Sequence, residues 1–268
     1  MDLHHIRDAL QAYPPFGEVE YHESLGSTND RVYEVASGGA REGLIVISEH
    51  QSSGRGRRGH RWQAEPGSAL LFSLLLRPRF QRQCWPLIGP AVAVSVAEAI
   101  LALTGLNARC KWPNDVLLPR PGSAVPGKVA GILAEARHRH VVVGVGINVT
   151  AAPELAAEEV SLPPTSLAES GGAPPAREAL LLAVVRHLAG HYGALQGGDA
   201  RALHNAYTRL DTTTGRAVTL QVGQATVRGV AMGMDPTGAL IVDTEAGVRH
   251  FPAGEVHPDW EPGDWMIG

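Results

Sequence analysis

The chain has 268 residues, 44% of them hydrophobic and 19% charged, with a formal net charge of -4. That length fits one large domain or a larger and a smaller one, and the composition is that of a globular chain able to bury a core. The slightly acidic balance carries no global basic field toward nucleic acid or a membrane surface, and two cysteines, Cys84 and Cys110, build no disulfide framework.

The N-terminus, MDLHHIRDAL, has no apolar signal segment, and runs such as SALLFSLLL stop short of the roughly 18 residues a membrane span needs. A cytoplasmic location is expected. Residues 2–12 read as a short amphipathic helix ending before Pro14 and Pro15. EVEYHESL alternates like a strand, Ser27 starts a helix that stops at Gly38 and Gly39, and GLIVISEH (43–50) is a strand entering an Arg- and Gly-rich loop. ALLFSLLL (69–76) reads as a buried strand and residues 87–103 as an apolar helix. ARCKW leads into a Pro-Asn-Asp turn followed by the short strand VLL, and residues 121–127 form a loop. VAGILAEARHRHVVVGVGINV resembles two strands joined by a charged hairpin at Arg137–His140.

A Pro-, Ala-, Glu- and Ser-rich stretch runs from Thr150 to Pro175, and helices are expected over about 176–195 and 199–209. From Arg216 the pattern changes to short β segments, AVTLQV, ATVRGVAMGM, ALIVDT and VRHFP, with the cadence of a small β-barrel. The expected fold is therefore α+β: a mixed β-sheet core flanked by helices over residues 1–213, then a small β-barrel domain over 214–268. No repeat or coiled-coil heptad interrupts that scheme.

Only two of the 23 basic residues are lysines, Lys111 and Lys128. Arginine evidently serves wherever a cation is needed for solubility, so the two compact, mobile ammonium groups invite a closer look at their surroundings. Lys111 lies in KWPND (111–115), which brings a cation, the Asn114 amide and the Asp115 carboxylate within a few residues. Those groups suit phosphate and Mg²⁺, although Pro-Asn-Asp is also ordinary turn chemistry. Lys128 lies in GKVAGILAE (127–135), where Gly131 interrupts an apolar run and marks either a bulge or a close approach of a ligand.

QSSGRGRRGHRW (51–62) alternates Arg55, Arg57, Arg58 and Arg61 with Gly54, Gly56 and Gly59 directly after a strand. Glycines let backbone N–H groups crowd around an anion and arginines add bidentate donors; a solvated basic loop is the plainer alternative. The spacing is neither that of a Walker A loop nor that of a dinucleotide fingerprint. VVVGVGINV (141–149) ends in Asn148, which can cap the next element or read an adenine edge. In STND (27–30), Ser27 and Thr28 can cap a helix or bond a small polar head group. His187 and His191 have a metal-compatible spacing on a helix, but no third ligand is evident.

In this order, STND, GRGRRGHRW, KWPND, GKVAGILAE and GVGIN resemble the catalytic core of biotin protein ligases over about residues 20–150. The C-terminal β segment resembles the family's Src-homology-3-like barrel more loosely. The resemblance implies activation of biotin with ATP to biotinyl-5′-AMP, followed by transfer of biotin to one lysine of a biotin carboxyl carrier protein. By motif, Ser27, Thr28, Gln51 and Arg55 fall where the family holds the ureido head of biotin, with Asn29, Gly54, Gly56 and Gly131 alongside. Arg57 resembles the arginine that orders the loop and clamps the adenylate phosphate. Trp62 resembles the aromatic covering the adenosine side, and Asn148 the adenine reader. Lys128 matches the lysine that contacts both the biotin carboxylate and the α-phosphate. Lys111, Asn114 and Asp115 fall at phosphate and Mg²⁺ contacts, with Asp115 the metal ligand. Lys128, Arg57, Asp115 and Lys111 are thus the expected catalytic group.

Family members that repress transcription carry a winged helix-turn-helix of about 60 residues ahead of the core. Only 26 residues precede Ser27, so no DNA role is expected. The family's basic residue after Gly-Glu near the C-terminus is absent from GEVHPDWEPGDW, which puts a phosphate contact there in doubt. Pairing into a homodimer through an open sheet edge beside the GVGIN strand is a further family expectation, and no membrane partner is expected. Two rivals stand beside this reading: a lipoate or octanoate ligase, whose apolar ring would leave Ser, Thr and Gln unpaired, and a nucleic-acid-binding regulator using the Arg-Gly loop.

Overall fold

ALLFSLLL contains no turn residue and no charge, and all eight of its residues are buried, as a strand covered on both faces requires. In the computed structural model, which describes residues 1–155 and 162–260, it is the third strand of a seven-stranded sheet. The strands are β1 (Val19–Leu25), β2 (Ile45–Gln51), β3 (Ala69–Leu76), β4 (Arg109–Lys111), β5 (Asp115–Leu118), β6 (Gly127–Arg137) and β7 (His140–Asn148). Their spatial order is β1-β2-β3-β7-β6-β5-β4. β1 and β2 run parallel, and the remaining neighbours are antiparallel. The mixed sheet is as expected, but the GVGIN strand, β7, is interior. The open edges are β1 and β4.

Among the described residues five α-helices accompany the sheets: α1 (Leu3–Leu10), α2 (Thr28–Ser37), α3 (Ile88–Thr104), α4 (Arg177–Gln196) and α5 (Arg201–Leu210). α3 is apolar on nearly every face, which suits a helix packed between α4 and the sheet. With the turn before it, the stretch Arg82–Thr104 is long and apolar enough to cross a membrane, a length that the separate apolar runs of the sequence did not reveal. Two-thirds of its apolar window (67%) is buried inside the protein. α2 begins where Ser27 turns the chain: its extended backbone and its Oγ, which accepts from the Asp30 N–H at 3.4 Å, make it the N-cap.

The C-terminal segment departs from expectation. β8 (Ala217–Val222), β9 (Ala225–Met234), β10 (Leu240–Thr244), β11 (Gly247–Phe251) and β12 (Glu255–Pro258) form an antiparallel sheet in the order β11-β10-β9-β8-β12. No ladder joins β11 to β12, so among the described residues neither sheet closes and the expected barrel is absent. The two edges are protected differently: β11 presents exposed polar residues Arg249 and His250, and β12 ends at Pro258, which has no N–H to offer a further strand. β12 itself was not anticipated, since EVHP is short and ends in proline. Of the GEVHPDWEPGDW segment, residues 261–265 lie outside the described residues, as do residues 156–161 of the Pro- and Ala-rich stretch.

The second sheet is fixed to the first near KWPND. The Trp112 indole, 1% exposed, donates to the Gly238 carbonyl at 3.1 Å, and the Trp112 N–H donates to Thr213 Oγ1 at 3.3 Å. The Thr212 N–H reaches the Cys110 carbonyl at 3.0 Å.

Candidate active site

A cavity of about 510 Å³ opens over the face of β6 and β7, within the size range of small-ligand sites. Its floor is made of glycines. Gly131 of β6 lies directly opposite Gly146 of β7, and Gly144 lies opposite Leu133. A methyl group at Gly146 would stand 2.4 Å from Trp62 Cε2, one at Gly131 2.9 Å from Trp62 Cζ3, and one at Gly144 2.4 Å from Asn29 Oδ1. These positions are glycine because other groups lie flat against the sheet there.

Polar groups from the start of α2 and the end of β2 line one end. Gln51 Oε1 accepts from the Thr28 N–H at 2.7 Å and lies 3.1 Å from Thr28 Oγ1. The Asn29 amide donates to Glu135 Oε2 at 2.9 Å, while Asn29 Oδ1 lies 2.6 Å from the hydroxyl of Ser73. Ser27, Thr28 and Asn29 are all almost fully buried.

The Arg-Gly loop folds back on itself as a small hairpin. The Trp62 N–H donates to the Gly54 carbonyl at 3.0 Å and the Gly56 N–H to the His60 carbonyl at 2.7 Å. A Cβ on Gly54 would meet the Trp62 carbonyl oxygen at 2.4 Å, so no side chain fits there. Gly54 serves the hairpin and does not line the cavity, whereas Arg55, Gly56, Arg57 and Trp62 do. Three of its four arginines have side-chain partners of their own. Arg55 bridges Glu135 (2.6 Å) and Asp30 (3.1 Å). Arg57 Nη1 donates to Asn114 Oδ1 and to the Gly254 carbonyl, both at 3.1 Å. Arg58 donates to the Gln221 carbonyl at 2.6 Å and pairs with Glu255 at 3.3 Å. The loop is thereby tied to both sheets.

At the cationic end, the register of β4 and β5 sets Lys111 across from Asp115. Asp115 receives Lys128 Nζ on one oxygen at 2.6 Å and Lys111 Nζ on the other at 3.4 Å. Burial alone would raise the Asp115 pKa, but the two ammonium groups outweigh it and hold the carboxyl below its ordinary value. Burial lowers the Lys111 pKa, against the pull of Asp115. Lys128 is the more open of the two, with 29% of its side chain exposed, and its Nζ lies 5.9 Å from the centre of the Trp62 ring. Burial likewise lowers the Arg57 pKa. Asn114 is held by donation to the Ile132 carbonyl at 3.1 Å.

Asn148 closes the floor. Its amide donates to the Thr165 carbonyl at 2.9 Å, and its buried Oδ1 has no hydrogen-bond partner among the described residues. Except for Gly54, every residue that the family resemblance assigned to biotin, ATP or Mg²⁺ lines this one cavity. Sequence reasoning missed Ser73, Glu135, Glu255 and the Gly254 carbonyl, which hold the lining in place. The Glu135 carboxylate, at the end of GKVAGILAE, was the nearest to a readable signal. His187 and His191 are partnered by Glu98 of α3 at 3.1 and 3.0 Å, and among the described residues no group of three side chains is arranged to hold a metal.

Fold and site together define a ligase that activates a carboxylic acid: a polar pocket for a head group, a flat glycine floor, and paired ammonium groups where negative charge must be brought together. Residues 21–149 match the Biotin/lipoate A/B protein ligase family, and residues 213–257 match the Biotin protein ligase C terminal domain. The chain is 33% identical over 263 residues to the biotin--[acetyl-CoA-carboxylase] ligase of Mycobacterium tuberculosis, covering 96% of this chain and 95% of that one. It is 30% identical over 255 residues to the bifunctional ligase/repressor BirA of Bacillus subtilis, covering 94% of this chain and 77% of the relative. The structure of the Aquifex aeolicus biotin protein ligase in complex with biotin and ATP superposes with a TM-score of 0.76 at 26% identity, covering 92% of this chain and all (100%) of the other. The chain belongs to the biotin protein ligase family.

Proposed function

We propose that the cavity holds biotin with its ureido ring among Ser27, Thr28 and Gln51 and its carboxylate beside Lys128. The protein is an ATP-dependent biotin ligase: it activates biotin to biotinyl-5′-AMP and transfers biotin to a lysine of a biotin carboxyl carrier protein. The observation that carries the assignment of ends is the pair of lysines on Asp115, at one end of a pocket whose other end is lined by Ser27, Thr28 and Gln51.

In the first half-reaction a biotin carboxylate oxygen forms a bond to the α-phosphorus of ATP while the bond from that phosphorus to the pyrophosphate oxygen breaks. Both reactants are anions, so the protein's contribution is to hold them together and offset their charge. Lys128, mobile and partly open, is placed to accompany charge from carboxylate to phosphate, with Lys111 fixed behind it. Arg57 lies where it can cover the phosphate while remaining bonded to Asn114. The free Asn148 Oδ1 can accept from the amino group of adenine. In the second half-reaction the carrier lysine's amine attacks the acyl carbon and AMP leaves.

Mg²⁺ is expected to enter with the phosphates of ATP, as this ion commonly does. Asp115 does not fit it as a direct ligand, because both carboxylate oxygens already face ammonium groups. Lipoate fits the head pocket less well, since its apolar ring would leave Thr28 and Gln51 unanswered. ATP–pyrophosphate exchange measured with biotin, with lipoate and with neither tests the assignment. Exchange with biotin alone is expected; exchange that is indifferent to biotin overturns it.

A further inference from the structure

Lys128 and Asn148 lie on neighbouring strands, yet no ladder pair joins them, because β6 meets β7 only from Ala130, opposite Ile147. On its other side Lys128 pairs with Leu117 next to a bulge in the β5 ladder. A strap of three residues, Pro163–Thr165, takes the place that β7 leaves empty. The Lys128 N–H donates to the Pro163 carbonyl at 2.9 Å, and the Thr165 N–H donates to the Lys128 carbonyl at 3.0 Å. Pro164 sits between them as the parallel bridge partner of Lys128. Prolines have no N–H and keep the chain before them extended, so Thr165 supplies the one donor of the strap.

The same residue reaches Asn148, whose side-chain amide donates to the Thr165 carbonyl at 2.9 Å. A carbonyl only accepts, so the arm of Asn148 that meets it is the NH₂, and the arm without a partner is the oxygen. Reversing the amide would set two oxygens face to face where Asn148 and Thr165 are 1% and 2% exposed, a costly arrangement. Thr165 itself does not line the cavity. Resting on the assignment of Lys128 to the α-phosphate and of Asn148 to adenine, we infer that Thr165 is a positioning residue that registers these two groups with each other. It sets how far the phosphate-facing lysine stands from the base-reading amide, and which arm of that amide the base meets.

The Thr165 side chain keeps the strap seated. It lies against Gly127, where an added Cβ would stand 2.5 Å from Thr165 Cβ and 2.6 Å from Thr165 Cγ2. The next neighbour of that Cβ, Arg120 Cδ at 2.8 Å, belongs to a long side chain that can turn away. Gly127 is therefore glycine because Thr165 occupies its side-chain position, and an alanine there would lift the strap from Lys128 and Asn148 together. A nucleotide that must touch both groups at once loses by any slack between them. An Asn148 amide freed from the Thr165 carbonyl can also turn, offering its NH₂ to a base that carries an oxygen where adenine carries its amino group.

The test follows biotin-dependent pyrophosphate exchange with ATP and with inosine triphosphate, whose base has an oxygen in place of the amino group. The wild type is expected to prefer ATP by at least about 100-fold in kcat/KM. Gly127→Ala should lower that ratio about tenfold and raise the KM for ATP about tenfold, with the KM for biotin moving less than about threefold. Thr165→Gly alone should cost about threefold in the ratio, and Gly127→Ala/Thr165→Gly should recover to that level because the opposing Cβ is gone. Gly127→Ala/Thr165→Ala keeps that Cβ and should not recover. An unchanged ratio in Gly127→Ala, equal damage to the biotin and ATP KM values, or equal rescue by Thr165→Ala overturns the inference while leaving the adenine assignment standing. A wild type that does not distinguish the two nucleotides sinks that assignment and the inference with it. Should Gly127→Ala fail to fold, Thr165→Gly is compared with Thr165→Val, which keeps the shape of the side chain. The ratio should fall in the first and hold in the second, and equal ratios overturn the inference.

Discussion

Lys128 and Asp115 meet at 2.6 Å although they come from different strands, β6 and β5, and Lys111 closes on the other Asp115 oxygen from β4. One buried carboxylate therefore positions both lysines of the chain. Lys128 keeps the exposure and the four-carbon reach to move between partners, whereas a guanidinium is a rigid fork suited to one. Lys128→Arg is expected to lower biotin-dependent ATP–pyrophosphate exchange by at least about 100-fold while the melting temperature stays within a few degrees of wild type. Exchange near the wild-type rate would remove Lys128 from the chemistry.

Asp115 also has a structural duty. Lys111 is 2% exposed, and Asp115→Asn would leave its charge buried without a counter-ion, an expected loss of about 3–5 kcal/mol in urea unfolding at pH 7. The sign with pH follows from the depressed Asp115 pKa. The unfolded carboxyl titrates near its ordinary value of 3.8 and the folded one lower, so the stabilisation is fully present above the unfolded value and is lost as pH falls through the folded one. The difference between wild type and Asp115→Asn should be constant from pH 7 to about 5 and shrink below about 4. A difference that grows in acid would contradict this charge assignment.

Gly54 separates loop geometry from ligand contact, since it shapes the hairpin without lining the cavity. The obstacle to a side chain there is the Trp62 backbone carbonyl at 2.4 Å, which cannot rotate away as the indole facing Gly146 can. Gly54→Ala should open the hairpin and raise the KM for biotin more than about tenfold, with the global unfolding midpoint little changed because the loop adds little to the core. Gly146→Ala, opposed only by a side chain, should cost less. Steady-state kinetics of the two variants would show whether the order is reversed.

Much of the site could be read locally. STND, KWPND and GKVAG each place their polar groups within a few residues, so turn chemistry and strand breaks exposed them. Ser73 was hidden because a lone serine within ALLFSLLL looks like a tolerated small residue; its importance depends on α2 lying over it. The bond from Arg57 to the Gly254 carbonyl joins positions 197 apart in sequence, a distance over which no local pattern operates. The barrel expectation failed for a related reason. Alternation and turn spacing announce strands, but whether the last strand, besides pairing with the first of the group, also pairs with the fourth is a question of tertiary closure. The lysine scarcity gained meaning only when both ammonium groups were seen on one carboxylate.

Arg57 joins the loop, the KWPND turn through Asn114, and the second sheet through Gly254. Arg57→Gly removes all of these links at once and adds backbone freedom at the point where the loop must stay closed over the adenylate. Burial that depresses the Arg57 pKa also means that its loss opens a half-dry space to water. The intermediate is an acyl phosphate anhydride, reactive toward any amine, so a loop that no longer retains it should release it into solution. The variant is expected to form biotinyl-5′-AMP and to label lysines on an unrelated bystander protein, whereas the wild type labels the carrier lysine alone. Mass spectrometry of bystander peptides after incubation with biotin and ATP reads the difference. Labelling still confined to the carrier lysine in Arg57→Gly would show that retention depends on other contacts, such as those of Arg58 with Gln221 and Glu255.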